Sequence, residues 1–293
     1  MNAMKTDGLL VFWDAAECDR IPFAAAMHAA GLAQYAPEEP DRSMALRAAI
    51  RDAVEEFDLK MHGQPVEPKG LEKGVVGFDA IRIVRGTVEN EYPRLFTVVA
   101  HENNWTELTF NDPNKGFARR AEAEEFMHSQ FVHYLTRLPG STAGSLVRSA
   151  VMRGLKGVAL SRGGKCFYLP STSVARYESL SGLVNMSNPA DGLRLKSFRY
   201  PMEPMGMEEI VSALRESVME VTARIQEELQ ACQGEGRRMR SDARDNRNEE
   251  LQDEHDKLMH YHNLLGVSVD DVVALIEHTQ GLIAMNALLE VAA

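Results

Sequence analysis

Between Glu208 and Cys232 the apolar side chains fall on a helical ruler. Ile210, Leu214, Val218, Val221, Ile225 and Leu229 recur at steps of three and four. An α-helix brings residues so spaced onto one side, and that side needs a partner to bury it. A partner follows directly in the chain. After QGEGRRMRSDARDNRNEE, with Gly234 and Gly236 as breakers, Leu251, Leu258 and Leu265 stand seven apart. Ser268 then caps a third helix, VDDVVALIEHTQGLIAMNALLEV, with Asp270 and Asp271 at its positive end. The spacing predicts a helical hairpin with a packing helix over 203–293. Two heptads suit an internal bundle as well as a dimer seam. Ile210, Leu214, Val218, Val221, Ile225, Leu251, Leu258 and Leu265 are therefore the expected interaction surface, for self-association or for a protein partner.

The earlier chain changes its period. Leu9–Trp13 reads as a short buried strand, and RIPFAAAMHAAGL as a helix with Pro22 in its first turn and Gly31 closing it. QYAPEEPDRS is a loop, and Asp41 or Ser43 caps the helix ALRAAIRDAVEEF. Residues 75–112 are rich in β-branched and aromatic residues separated by turn residues, the pattern of a three-stranded antiparallel meander. A long helix, FARRAEAEEFMHSQFVHYLTRL, stops at Pro139-Gly140, and SLVRSAVMRGL follows as another. VALS and KCFYLP are two short strands around Arg162-Gly163-Gly164, where glycine supplies the positive φ of a tight hairpin. STSVARYESLSGL is a short helix and GLRLKSFRY a strand. The whole is an α+β protein in three expected parts. These are an N-terminal region with a meander over 1–115, a winged-helix-like basic module over 116–202, and the acidic helical hairpin or bundle over 203–293.

Charge singles out the middle part. The formal net charge is -11, yet residues 141–201 hold nine basic and two acidic residues, a net of +7. Helix, turn, helix and hairpin is the order of elements in a winged helix. On a helical wheel, Ala143, Val147, Ala150, Val151 and Leu155 form one side of 143–155, and Arg148 and Arg153 flank the opposite side. Lys156, Arg162 and Lys165 add positive charge along the hairpin. Five such phosphate contacts to duplex DNA would give a salt slope of about -4 to -5. Of Phe167 and Tyr168, which alternate across a strand, an outward-facing Tyr168 could stack on an unpaired base. The expected nucleic-acid-binding residues are thus Arg148, Arg153, Lys156, Arg162, Lys165 and Tyr168, toward DNA or RNA. A second set, Arg237, Arg240, Arg244 and Arg247, steps three or four apart and would align on a helix. It reads equally well as a phosphate-binding edge or as the partner of the acidic EELQDEHD that follows.

Other constellations point to no chemistry. Glu125 and His128 have the Glu-x-x-His spacing of di-iron bundles, which need that motif twice, and there is no second copy. Cys18, Cys166 and Cys232 lack metal-ligand spacing and are expected as reduced thiols. Cys166 lies in a basic setting that could lower its pKa, though core packing is the simpler role. No cofactor, metal or catalytic motif is assigned, so an enzyme is the least favoured class. The longest apolar run near the N-terminus, Leu9–Trp13, is too short for a membrane span or a signal-peptide core, so a cytoplasmic protein without membrane contact is expected.

Three pieces, LLVFWDAAECDRIPFAAAMHAAGL, APEEPDRSMALRAAI and GGKCFYLP leading to the long helix at 207, resemble an uncharacterised family of bacterial phage, plasmid and mobile-element proteins. The resemblance implies a mobile-element setting and carries over no activity and no site residue. The function expected is a non-enzymatic nucleic-acid-binding accessory protein. The alternative is an interaction scaffold whose basic hairpin docks an acidic partner.

Overall fold

The computed structural model describes residues 8–58, 60–61, 64–65, 67–70, 77–81, 94–100, 106–110, 119–160, 165–188, 191–200 and 203–288. The chain opens with β1 (Gly8–Trp13), β2 (Cys18–Asp19), α1 (Arg20–Ala29) and α2 (Arg42–Glu56). The strands β3 (Lys60–Met61), β4 (Gln64–Pro65), β5 (Glu67–Gly70), β6 (Gly77–Ile81), β7 (Arg94–Ala100) and β8 (Thr106–Phe110) follow. Next come α3 (Arg120–Thr136), β9 (Arg137–Leu138), α4 (Gly140–Ser149), β10 (Val158–Ala159) and β11 (Phe167–Leu169). Last are α5 (Val174–Ser187), β12 (Leu195–Tyr200), α6 (Pro204–Gly234), α7 (Ser241–Leu265) and α8 (Asp270–Leu288). The class is α+β.

These elements form two compact units, one from 1–16, 22–36 and 140–293, the other from 17–21 and 37–139. The expected cuts near 115 and 202 are not where the contacts thin out. The reason lies in the first unit's sheet, ordered β10-β11-β1-β12 and antiparallel throughout. Its central β1 comes from the N-terminus, while its neighbours are contributed from beyond residue 158. The same unit holds the C-terminal helices, because Val158 and Tyr168 of the sheet share a core with Ile210, Leu214, Val218, Leu251, Leu258 and Ile276.

The three C-terminal helices pack pairwise, α6 on α7, α6 on α8 and α7 on α8. Gly266 ends α7 in the left-handed region at φ 67°, which glycine adopts without a Cβ clash. A buried ion pair joins Lys257 to Glu254 at 2.6 Å, and Ser217 of α6 donates to the same carboxylate at 3.2 Å.

In the second unit β5-β6-β7-β8 form an antiparallel sheet, so the meander gains a fourth strand from Glu67–Gly70. Leu46, Ile50, Met127 and Phe131 of α2 and α3 fill its core. Asp41 caps α2, accepting from the backbone N–H of Ser43 at 2.8 Å and of Met44 at 3.1 Å.

Candidate nucleic-acid interface

The wheel drawn for 143–155 matches the burial. Ala143, Val147, Ala150, Val151 and Leu155 are buried, and Arg148 and Arg153 are exposed. After Ser149 the helix widens. Leu155 N–H donates to the carbonyl of Ala150 at 2.9 Å and Gly157 N–H to that of Val151 at 2.8 Å. Such wide turns leave carbonyls that need outside donors.

Three other elements supply them. Arg176 of α5 donates Nη1 to the Gly154 carbonyl at 3.1 Å, Nε to Ala30 at 3.0 Å and Nη2 to Gly31 at 2.6 Å. Ser173 Oγ donates to Leu155 at 2.7 Å, and Tyr261 of α7 donates its hydroxyl to Lys156 at 2.9 Å. Complete burial raises the Tyr261 pKa well above 10, so it stays a donor. Gly154 is required here, because a Cβ would lie 2.5 Å from Leu32 Cδ2 and 2.7 Å from Tyr35 Cε2. Lys156 takes a left-handed backbone at φ 56°, and its pinned carbonyl helps to hold that strain.

Of the expected set, this fixed corner carries Lys156. Arg148 places its guanidinium 6.0 Å from the Phe167 ring centroid, and Lys165 is exposed. Among the described residues, Arg148, Lys156 and Lys165 have no carboxylate partner. Arg153 faces Asp253 of α7 at 3.4 Å. Arg162, with Gly163 and Gly164, lies outside the described residues. Other cations of the basic block are already engaged. Arg176 forms the clamp, Arg194 donates to the carbonyls of Asn185 and Asn188, and Lys196 pairs with Asp14 at 2.7 Å. His260 sits close by, its Nε2 3.3 Å from Thr172 Oγ1. Desolvation, then the Lys156 charge, lowers its pKa.

Several sequence expectations are corrected. Tyr168 does not face outward, since it and Phe167 are both fully buried. The strand alternates as expected, but at β11 both faces of the sheet are covered. Trp13 stacks on Phe167 at 5.0 Å on one side, while Tyr200 and Tyr261 lie 6.1 and 6.3 Å from Tyr168 on the other. β11 is hydrogen-bonded by both β10 and β1, so the strands of the hairpin belong to the four-stranded sheet.

The arginines of 237–247 do not share one helix, because Arg237 and Arg240 precede α7 and only Arg244 and Arg247 lie on it. Met239 closes that connection by burying its side chain and donating its N–H to Asn286 Oδ1 at 3.0 Å. Arg237 pairs with Glu235, and Arg247 with Glu228 at 2.8 Å and Glu250 at 3.3 Å. The acidic partner is therefore drawn as much from α6 as from the segment that follows. Of the seam residues, Ile210, Leu214, Val218, Ile225, Leu251 and Leu258 are buried inside the chain, and Val221 and Leu265 are partly buried against the same core. They are core positions and not a surface for another molecule. Burial raises the Cys166 pKa, the opposite of the lowering that its basic setting suggested.

One constellation was missed in the sequence. In the second unit a cleft of about 340 Å³ is lined by Glu17, Arg20, Met44, His133, Tyr134 and Arg137, among others. His133 Nε2 lies 2.9 Å from Glu17 Oε1, and Arg137 reaches Asp19 at 2.6 Å and Glu17 at 3.4 Å. The Tyr134 hydroxyl donates to Asp52 at 2.7 Å, and this hydrogen bond, then burial, pushes its pKa up to about 12. Residues 17 and 133 are too far apart in sequence for spacing to connect them. The carboxylates are engaged by neighbours, and among the described residues no serine, threonine or cysteine lines the cleft to act as a nucleophile.

Among the described residues no cluster of three His, Cys, Asp or Glu side chains could hold a metal ion, and no helix is long and apolar enough to cross a membrane. No curated protein and no solved structure matches the chain. A family model covers residues 8–293, nearly its full length, and by that match the chain belongs to DUF6744, a family of unknown function.

Proposed function

We propose that this chain is a non-enzymatic nucleic-acid-binding accessory protein of a phage or other mobile element, holding phosphates with its basic helix and hairpin. One observation carries the reading. Arg148, Lys156 and Lys165 are cations without a carboxylate partner among the described residues, and Lys156 sits in a backbone corner whose carbonyls at 154–156 are all occupied. Among the described residues no carboxylate competes with a phosphate for these three, and the corner at Lys156 is already ordered. Arg153 joins by exchanging Asp253 for a phosphate, and Arg162 belongs to the set by its place in the sequence. Arg240 and Arg244 are secondary candidates, because their neighbours Arg237 and Arg247 are held by glutamates.

The test is fluorescence-anisotropy binding to single- and double-stranded DNA and RNA across a salt series. Three phosphate contacts give a slope of about -3 on duplex and about -2 on a single strand. The triple variant R148E/K156E/K165E should lose binding, while R240E/R244E should change it little. No binding at low salt, or binding indifferent to salt, would reject the reading.

A second reading, docking of a protein partner, draws on a groove of about 580 Å³ lined by Met207, Val211, Arg215 and Val267. Val211→Glu would abolish a pull-down through that groove and leave nucleic-acid binding unchanged.

A further inference from the structure

Tyr168 is buried, but another aromatic residue of the basic block is not. Phe198 of β12 is 52% exposed. Register explains its neighbours. Phe198 stands opposite Leu10, and Phe12 opposite Lys196, so these alternate side chains share one face of the sheet. Farther along that face Leu10, Tyr168 and Tyr200 are covered by the C-terminal helices. The Phe12–Phe198 end is left open. Phe12 meets Phe198 edge-on, with centroids 6.1 Å apart and planes at 62°, and Lys196 Nζ stands 5.9 Å from the Phe12 centroid. β12 is also the edge strand, with no strand bonded to its outer side among the described residues.

The same register brings Lys165 of the phosphate-binding set to this end. Val11 pairs with Phe167, so the start of β11, with Lys165 two residues before it, lies beside the end of β1 that carries Phe12 and Trp13. Arg148 and Trp13 meet the Phe167 ring on the opposite face of the sheet. Lys196, two residues before Phe198, shares its face, while Arg199 belongs to the opposite face of the same edge strand; their side chains are 47% and 72% exposed. Their partners, Asp14 at 2.7 Å and Glu178 at 3.7 Å, are themselves more than half exposed, so both pairs are open to exchange for a phosphate.

An exposed ring with a cation beside it on the same face suits a ligand that alternates flat apolar faces with negative charges. We infer that the chain binds single-stranded nucleic acid, with an unpaired base stacked on Phe198 and its phosphates running past Lys196 toward Lys165 at that end of the sheet. This rests on the nucleic-acid reading above and adds to it the choice of strand state. Duplex bases are stacked on one another and have no free face to offer, whereas a single strand does. A protein partner fits less well, because one aromatic pair among cations is far smaller than the apolar core of a stable interface.

The experiment uses the intact chain and a fluorescein-labelled oligothymidylate of about 12 nucleotides, within the range one such platform covers, beside a duplex of equal length. Phe198→Ala should weaken single-strand binding about tenfold to a hundredfold, the effect of losing one stacked base, and leave duplex binding unchanged. Phe198→Trp should restore affinity, with its added fluorescence quenched by the oligomer. Wild-type affinity in Phe198→Ala, with binding lost in R148E/K165E, would overturn the stacking inference and leave the phosphate reading standing. Equal loss on single strand and duplex would also overturn it. Failure of the wild-type chain to bind either probe would overturn both.

Discussion

Two stretches of the first unit are rich in arginine and lysine, and the structure treats them differently. At 154–156 the backbone is gripped by Arg176, Ser173 and Tyr261, and cations nearby in sequence are left over. Over 237–247 a short connection leads into α7, and glutamates hold two of the five arginines. The first stretch has donors directed at its carbonyls and few acids near its side chains. The second has α6 beside it, with Glu228 reaching Arg247 from nineteen positions earlier. A count of charges makes them look alike. What separates them is whether a neighbouring helix brings carboxylates or carbonyl-seeking donors.

The comparison can be broken at its base. Tyr168→Ala removes a fully buried aromatic from under the hairpin and should cost about 3–5 kcal/mol in urea unfolding. Phe198→Ala, on the open end of the same face, should stay within about 0.5 kcal/mol. Equal costs would mean that the two positions are not buried and open as described. Next in size is Arg176→Ala, which strips donors from three carbonyls and should cost about 2–3 kcal/mol, with faster hydrogen exchange at 154–157. Tyr261→Phe removes a single donor and should cost about 1 kcal/mol, more if Lys156 O finds no water. At 237–247 the effects shrink. Arg247→Ala should cost no more than about 1 kcal/mol and less at high salt, as partly exposed ion pairs do.

The second unit offers a control that leaves both stretches untouched. Tyr134 keeps its proton to about pH 12 in the folded chain, above the usual value of 10. Unfolding above that usual value releases a proton, so this stabilisation is complete below about pH 10 and is lost as the pH rises toward about 12. Alkaline titration of Tyr134→Phe should lack that part of the loss, with the first unit unchanged.

Much of the local structure was legible in the chain. The 3.6-residue period placed α6 and the buried side of 143–155 because periodicity reports which residues share a side, whatever that side meets. Asp41 and Ser43 before an alanine-rich run offered two caps for the same local reason, and the structure uses Asp41. The candidate site was legible only in part. Arg148, Lys156 and Lys165 were identified by the absence of nearby acids in sequence, but the clamp on Gly154–Lys156 needs Arg176, Ser173 and Tyr261, and no spacing rule links Lys156 to residue 261.

By itself, the sequence determined where helices run, which of their sides are apolar, and that positive charge gathers between 141 and 201. Tertiary structure alone decided that β1 lies between β11 and β12, that the seam of α6 is consumed inside the chain, and that Phe198, not Tyr168, is open. The physical reason is range. Alternation along a strand tells which residues face opposite ways, but a face becomes buried or exposed only when an element distant in sequence covers it or leaves it bare.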